Sequence, residues 1–305
     1  MATTDTGALA ASPDPRGPAE PADPPADRRP PRRPKAWVLL ALPLVAVLFV
    51  YPFVWLVSAS LKPRSQVFDN ALVPSTWAPE NYVTMWDAAP VFTWLANSVV
   101  VGLAAAAAVT VSSALVAFGF AYFRFPGRGL LFSAVLGTMM LPGAVTMVPT
   151  YLLWNELGLA GTQVPLWAQN LFGSAFYIFL LRQFFLSLPR DLFEAAMLDG
   201  ASYLRMFRSV ALPLAIPALI IVFVFELRAS WTDLMKPLIY LRDPELFTIP
   251  RGLKAIVDQF GQGGEMQWEV VLAASVVTTV PMLLLFLFAQ RFFVQGIATT
   301  GRGGA

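Results

Sequence analysis

Six long apolar runs, separated by polar segments, follow one another along the chain. They cover residues 36–61, 97–122, 129–155, 164–181, 216–240 and 269–293. A run of roughly 18 or more apolar residues is long enough to cross the hydrocarbon core of a bilayer as a helix. The pattern therefore predicts an all-α membrane protein with six transmembrane helices, and an even number of spans places both termini on one side.

Proline and small residues modify two of these predicted helices. The run 129–155 contains Leu141-Pro142 and Pro149, and proline inside a helix removes a hydrogen bond and kinks or breaks the helix. We expect this span to be broken. The run 97–122 is rich in alanine, valine, serine and glycine, which let membrane helices approach closely. We expect it to be buried among the other helices.

The two ends of the chain differ from this apolar region. Residues 1–35 contain nine prolines and end in a basic cluster, a composition that cannot bury enough apolar surface to fold. We predict a disordered cytoplasmic tail at 1–35, a six-helix transmembrane domain at 36–297 and a short tail at 298–305. A secretory signal peptide is the alternative for the N-terminus. However, residues 36–61 are 26 uncharged residues, against about 7–15 in the apolar region of a signal peptide.

The composition supports a membrane protein and excludes several kinds of chemistry. Of the 305 residues, 57% are hydrophobic and 13% are charged, about half the charged fraction of a typical soluble domain. Cysteine and histidine are absent, which excludes disulfides and removes the usual zinc ligands and the commonest general base. The formal net charge of +2 gives no indication of nucleic-acid binding. We therefore predict no catalytic residue, no metal site and no cofactor bound by this chain.

The basic residues predict the orientation of the spans. Of the 21 lysines and arginines, 14 fall on the side that holds both termini and the connection between the fourth and fifth spans. Six fall on the other side: Lys62, Arg64, Lys236, Arg242, Arg251 and Lys254. Cytoplasmic loops of membrane proteins carry the excess of lysine and arginine. This bias predicts that both termini and the fourth-to-fifth connection are cytoplasmic.

That connection contains a polar segment, residues 194–213, with the sequence EAAMLDGASYLRMFRSVALP. Residues 195–198 favour helix, and Asp191 and Glu194 lie near its predicted start, where the helix dipole favours negative charge. Gly200 is suited to ending that helix at a chain reversal. We predict a short helix, a turn at 200–202 and a second helix that continues into Pro213. Any protein with several spans needs charged connections, so an ordinary loop is the alternative.

The spacing of this segment resembles the EAA loop of the membrane-spanning permease subunits of bacterial ABC importers. In it, Glu194-Ala195-Ala196 is followed after three residues by Gly200, and Leu212-Pro213 closes the segment. Further stretches that resemble the family are Asn97-Ser98 with 99–101, residues 117–128, Leu141-Pro142 with 148–152, and residues 181–189, 247–253 and 290–296. Together they resemble the sugar-importer branch, of the maltose-transporter permease type, over about residues 36–297.

The resemblance implies an importer-type permease fold in the cytoplasmic (inner) membrane of a bacterium. The chain is expected to be the permease subunit of an ATP-driven importer of a sugar or oligosaccharide, without enzymatic activity. The implied partners are a second permease subunit, two ATPase subunits, an extracytoplasmic sugar-binding protein and membrane lipid. ATP and magnesium would be bound by the ATPase, because this sequence has no G-x-x-x-x-G-K-[ST] loop. The expected coupling loop covers residues 186–213. Its expected ATPase-coupling residues are Glu194, Ala195, Ala196, Asp199, Gly200, Ala201, Leu212 and Pro213.

Other functions stay open at this point. One is import of a non-sugar solute, such as a glycerol-phosphate-type compound. Another is secondary transport, which is disfavoured because the six predicted helices show no internal repeat. A stand-alone enzyme is disfavoured because the chain has no histidine, no cysteine and no convergent pair of carboxylates.

Four charged residues, Glu226, Arg228, Asp233 and Lys236, fall in the run 216–240, which we predict to be one membrane helix with Pro217 in its first turn. Charges at that depth are costly and usually face a cavity or a partner. The predicted substrate-path residues are Glu226, Arg228, Ser230, Trp231 and Asp233. The alternative is structural: Glu226 and Arg228 would pair with the second permease subunit and Lys236 would extend to the interface. Thr232 stands where the family usually has asparagine between tryptophan and aspartate.

Overall fold

A computed structural model describes residues 36–261 and 267–300 of the chain. Every regular element in these ranges is a helix, so the predicted all-α fold is confirmed. The predicted tail at 1–35 and the final residues 301–305 lie outside the described residues. The last helix continues to Thr300, past the predicted domain end at residue 297.

The α-helices are α1 (Ala36–Ser60), α2 (Glu80–Ala88), α3 (Val91–Tyr122), α4 (Arg128–Thr138), α5 (Gly143–Glu156), α6 (Val164–Trp167), α7 (Ala175–Ser187), α8 (Asp191–Leu198), α9 (Tyr203–Met206), α10 (Leu212–Thr232), α11 (Met235–Tyr240), α12 (Ile249–Ile256) and α13 (Trp268–Thr300). Short 3-10 turns lie at Arg64–Gln66, Ala168–Phe172 and Pro244–Leu246, and π-helical turns at Phe207–Ala211 and Val257–Gly261. Within the described ranges, five stretches are long and apolar enough to cross a membrane. The bent pair α4 and α5 makes a sixth if it counts as one span, in agreement with the prediction.

The chain divides into two compact units, residues 1–50 and 51–305. The described part of the first unit is the N-terminal portion of α1, which is apolar throughout. The second unit begins with the remainder of α1 and holds all the later helices. Every site described below lies within the second unit.

The second span, α3, begins at Val91, earlier than the predicted residue 97, directly after Pro90. It contacts α7 and α10. Its alanines allow this close packing, and Ala105, Ala106 and Ala117 are 0% exposed. The predicted burial of this span among other helices is confirmed.

The third span is broken at Leu141-Pro142, as predicted. α4 and α5 meet there at an angle of 97°. Pro142 is extended, with φ −62° and ψ 134°, and the residue before a proline disfavours the helical conformation. The motif therefore turns the chain between two helices.

The fourth span is also interrupted, whereas the uniform apolar run 164–181 predicted one continuous helix. α6 is followed by the 3-10 turn Ala168–Phe172, and Gly173 adopts φ +80° before α7 begins. A neighbouring helix holds this interruption, since Ser112 Oγ on α3 donates to the backbone oxygen of Asn170 at 2.9 Å. The hydrophobic pattern of residues 164–181 could not predict this interruption, because the residue that stabilises it lies on another helix.

The fifth span was predicted at 216–240 but is shifted towards the N-terminus. The helix runs continuously from α9 through the π turn into α10 and ends at Thr232, so Pro217 lies inside it rather than in its first turn. Asp233 has ψ 114°, and its Oδ1 accepts the backbone N–H of Lys236 at 3.2 Å, which caps the separate helix α11. Asp233 and Lys236 therefore lie beyond the membrane helix in which they were predicted.

Asn97 and Ser98 join α3 to the segment that precedes α12. Asn97 Nδ2 donates to the backbone oxygen of Phe247 at 3.0 Å, and the N–H of Ile249 donates to Ser98 Oγ at 2.7 Å. Two of the stretches that carried the family resemblance, about 150 residues apart in the sequence, therefore form one structural unit.

Candidate functional site

Residues 191–213, called the elbow from here on, form two helices joined by a tight turn. α8 ends in a Schellman motif, in which Gly200 N–H donates to Met197 O at 3.0 Å and Ala201 N–H donates to Ala196 O at 2.9 Å. Gly200 has φ +74°, a left-handed conformation that costs other residues about 1–2 kcal/mol. The helix, turn and second helix predicted from the sequence are confirmed.

The second helix of the elbow leads without interruption into the fifth span. Ser202 caps α9, its Oγ accepting the N–H of Arg205 at 3.4 Å. The helix then widens into the π turn Phe207–Ala211, which ends two residues before Pro213, a residue that cannot donate a backbone hydrogen bond. Ser202 was not among the predicted coupling residues, although a serine directly before a helix is a recognisable cap.

One side of the elbow is anchored in a buried aromatic cluster. Phe193 and Phe207 are 6% and 7% exposed, and their rings lie 6.2 and 5.1 Å from the ring of Phe118 on α3. Ala211, at the end of the π turn, is 0% exposed. The rings of Phe193 and Phe207 pack α8 and the π turn against Phe118 of α3.

The other side of the elbow exposes apolar side chains at its tip. Leu198 is 89% exposed, Leu204 62% and Tyr203 58%. Clustered exposed apolar residues mark interaction sites. Of the predicted coupling residues, the exposed ones are Glu194, Ala195, Asp199, Gly200 and Pro213, and the partly buried ones are Ala196, Ala201 and Leu212.

A cavity of about 390 Å³ lies between α8 and the turn that follows α3. Its charged lining consists of Arg124, Arg128, Arg190 and Glu194. Arg128 Nη1 donates to the backbone oxygen of Phe123 at 3.0 Å. The excess of positive charge beside the apolar tip favours a partner with an acidic contact surface.

The five predicted substrate-path residues do not form one site. Trp231 is 7% exposed and packs in a hydrophobic core, Arg228 is exposed, and Ser230 is partly buried. Glu226 is engaged with the fourth span, and Asp233 lines a cavity beyond the end of α10. Glu226 lies within α10, whereas Asp233 follows the end of that helix at Thr232.

Glu226 stabilises the interruption of the fourth span. Asn170 Nδ2 donates to Glu226 Oε1 at 2.6 Å and to the backbone oxygen of Ala105 at 3.3 Å. Tyr177 interacts with the same carboxylate. A carboxylate within a membrane helix is costly unless it is paired or hydrogen-bonded, and these contacts supply that compensation within this chain.

A second cavity, of about 470 Å³, forms where three irregular segments meet. The break before α5, the 3-10 turn of the fourth span and the region of α11 each contribute to it. Its polar lining consists of Thr146, Thr150, Gln169, Asp233, Lys236 and Tyr240. It is called the zwitterionic cavity below, because its charged groups are one carboxylate and one ammonium.

The charged pair of the zwitterionic cavity is held in a defined geometry. Lys236 Nζ lies 3.5 Å from Asp233 Oδ2, while Oδ1 accepts the backbone N–H of Lys236. Burial raises the pKa of Tyr240, and Tyr151 raises it further, so this hydroxyl is protonated at neutral pH. The cavity can therefore exchange hydrogen bonds with a neutral polar molecule.

Sequence reasoning missed most of this cavity. Thr146, Thr150 and Gln169 are uncharged residues inside apolar runs, and nothing in their periodicity distinguishes them. The available indication was Leu141-Pro142, because irregular backbone at membrane depth is tolerated where it lines a cavity or is buried in protein. Within the described residues, no group of three or more acidic residues could hold a metal ion.

Residues 33–299 match the family described as the binding-protein-dependent transport system inner membrane component. The arabinooligosaccharides transport system permease protein AraQ of Halalkalibacterium halodurans is 30% identical over 275 residues, which cover 88% of this chain and 97% of AraQ. The sn-glycerol-3-phosphate transport system permease protein UgpE of Salmonella typhimurium is 35% identical over 271 residues, covering 85% of this chain and 93% of UgpE.

A solved structure also resembles this fold. It is a bacterial ABC transporter involved in the import of the acidic polysaccharide alginate. One of its chains aligns with a TM-score of 0.75 at 22% identity, covering 84% of this chain and 95% of that chain. The observed helical architecture is therefore that of an importer permease.

Proposed function

The chain belongs to the family of binding-protein-dependent transport system inner membrane components, and on that premise we propose that its cargo is a sugar or oligosaccharide. Membership makes it a multi-pass inner-membrane permease subunit of an ABC importer, not an enzyme or a secondary transporter. The arabinooligosaccharide permease AraQ, alike over nearly its whole length, supports a carbohydrate cargo.

The elbow is the observation that carries the coupling mechanism. Its tip exposes the apolar side chains of Leu198 and Leu204, while its base is fixed in the aromatic cluster around Phe118. A separate ATPase subunit binds the tip, with ATP and magnesium held on that chain. Closure of the ATPase displaces α8, and the packed aromatic rings pass the displacement to α3 and α10. The excess of basic residues supports a cytoplasmic elbow.

The complete importer contains this chain, a second permease subunit, two ATPase subunits and an extracytoplasmic sugar-binding protein. Dependence on a binding protein is part of the family's description. The zwitterionic cavity is the part of the sugar path that this chain contributes. Of the predicted path residues, Asp233 lines this cavity. Glu226 contributes indirectly, because its carboxylate binds Asn170 in the interrupted fourth span.

Cross-linking from introduced cysteines tests the docking surface, because the natural chain contains no cysteine. We expect Leu198→Cys, at a position 89% exposed, to cross-link to the ATPase and to react with a thiol reagent from the cytoplasmic side. Val73→Cys, at a position 71% exposed beyond the first span, is the matched control and should react from the outside. A cross-link from Val73→Cys but none from Leu198→Cys would contradict the assignment.

A second candidate cargo is a glycerol-phosphate-type compound, which the 35% identity to UgpE favours. Uptake by the reconstituted importer with its binding protein separates the two candidates. We expect ATP-dependent uptake of a sugar or oligosaccharide. Uptake of sn-glycerol 3-phosphate without uptake of any carbohydrate would favour the second candidate.

A further inference from the structure

We propose that the zwitterionic cavity contacts uncharged sugar units and that the Asp233–Lys236 pair excludes anionic solutes from it. This inference rests on the proposed function as a carbohydrate importer and narrows the cargo to neutral carbohydrate. It therefore also addresses the choice between a sugar and a glycerol-phosphate-type compound.

The charges that line the cavity cancel each other locally. Lys236 Nζ lies 3.5 Å from Asp233 Oδ2, and these are the charged side chains of the lining. An anion that approaches the ammonium also approaches the carboxylate, so the net Coulomb attraction is small. The anion would still lose part of its hydration, a cost that a neutralised cation does not offset.

The carboxylate of Asp233 cannot easily turn away to release the lysine. Its second oxygen, Oδ1, accepts the backbone N–H of Lys236 at 3.2 Å and thereby caps α11. The side chains remain partly accessible, at 22% for Asp233 and 40% for Lys236. A ligand can therefore reach the pair, but it meets both charges together.

The neutral part of the lining suits hydroxyl groups. The amide of Gln169 makes no hydrogen bond within the described part of the chain, and it offers both donors and an acceptor. The hydroxyl of Tyr240 offers one donor and an acceptor. Met147 and Met235 give apolar surface for the carbon face of a sugar ring. The volume of about 470 Å³ lies within the range of about 300–1,000 Å³ typical of small-molecule sites.

The turn that presents Gln169 is already fixed in place. Its neighbour Asn170 donates to Glu226 Oε1 at 2.6 Å and to the backbone oxygen of Ala105. The backbone position of Gln169 is therefore set before a ligand binds, so the turn itself needs no further ordering. The Glu226 carboxylate in the fifth span therefore helps to shape the cavity, because it holds the turn that carries Gln169.

The test measures binding to the detergent-purified complex of this chain with its partner permease and ATPase subunits, without the binding protein. Equilibrium dialysis would compare radiolabelled cellobiose and xylobiose with digalacturonate and sn-glycerol 3-phosphate. We expect the better neutral disaccharide to bind at least about tenfold more tightly than either anion. Asp233→Asn keeps an oxygen that can cap α11 but removes the charge, so it should reduce that preference by about tenfold through stronger anion binding.

Asp258→Asn is the matched control, because Asp258 pairs with Lys254 outside the cavity lining. Removing that carboxylate should leave the preference for the neutral disaccharide unchanged. The proposal is overturned if the wild-type complex prefers an anion or if Asp233→Asn keeps the wild-type preference. If no probe binds while the complete importer still takes up a sugar, the cavity assignment fails and the proposed function stands. If the complete importer takes up no sugar, both fail.

Discussion

Replacement of Gly200 by valine tests whether the shape of the elbow, rather than its mere presence, couples ATP hydrolysis to transport. Gly200 has φ +74°, and an added Cβ would meet no atom within 4 Å. The cost of the substitution is therefore backbone strain and not a steric clash, about 1–3 kcal/mol for a residue held in the left-handed region. That energy would reduce the population of the native turn roughly 5–150-fold relative to other conformations of the same segment.

The chain supplies a matched control for that strain. α5 ends in the same motif, with Gly158 at φ +70°, its N–H donating to Asn155 O at 2.9 Å and Leu159 N–H donating to Trp154 O at 2.9 Å. An added Cβ at Gly158 also meets nothing within 4 Å. Gly158→Val should therefore carry a similar strain at a turn outside the elbow.

The assay is ATP-driven uptake by the reconstituted importer, together with copurification of the ATPase. We expect Gly200→Val to lower uptake by tenfold or more while the chain still inserts, because strain of about 1–3 kcal/mol falls on the turn that positions the tip. Gly158→Val should retain uptake within about threefold, and Gly200→Asn should recover part of it, since asparagine tolerates the left-handed region. Equal losses in both valine variants, or normal uptake by Gly200→Val, would refute the reasoning.

Three further substitutions test the contacts that hold the spans. Gly252→Ala places a Cβ against the indole ring of Trp94 and should destabilise the complex by about 1–3 kcal/mol. This loss would be measured as a lower midpoint of thermal unfolding. Gly143→Ala is the control, because its added Cβ meets no atom within 4 Å and should have little effect. Ser98→Ala leaves a buried backbone N–H without its acceptor and should cost about 1–3 kcal/mol in the same measurement. Asn170→Leu strips the donor from the carboxylate of Glu226 and should lower both stability and uptake by an amount equivalent to about 1.5–3 kcal/mol. An unchanged midpoint in any of the three damaging variants would show that its contact is not formed in the assembled importer.

The elbow could be predicted from the sequence because its determinants are local. A left-handed glycine at the end of a run of helix-forming residues specifies a Schellman turn with few requirements from elsewhere. Ser202 follows the same local logic, because a serine directly before a helix can cap it. The predicted helix, turn and helix therefore survived in the structure with their boundaries nearly unchanged.

The end of the fifth span could not be predicted in the same way. Residues 216–240 read as one apolar run, and Asp233 and Lys236 at three-residue spacing are compatible with a continuous helix. The structure instead uses Asp233 as a cap, which requires its side chain to fold back onto the backbone of Lys236. Whether such a residue continues a helix or ends it depends on the tertiary environment, here the cavity beyond α10.

The interruptions of the spans explain why the residues of the zwitterionic cavity were hard to locate from the sequence. A backbone that leaves the helix inside a membrane must have its polar groups satisfied by other parts of the protein, and Asn170 receives that support from α3 and α10. The same interruption directs Gln169 into the zwitterionic cavity. Glu226 was predicted from the sequence to line the substrate path. In the structure its carboxylate instead accepts a hydrogen bond from Asn170, the neighbour of Gln169 in this turn.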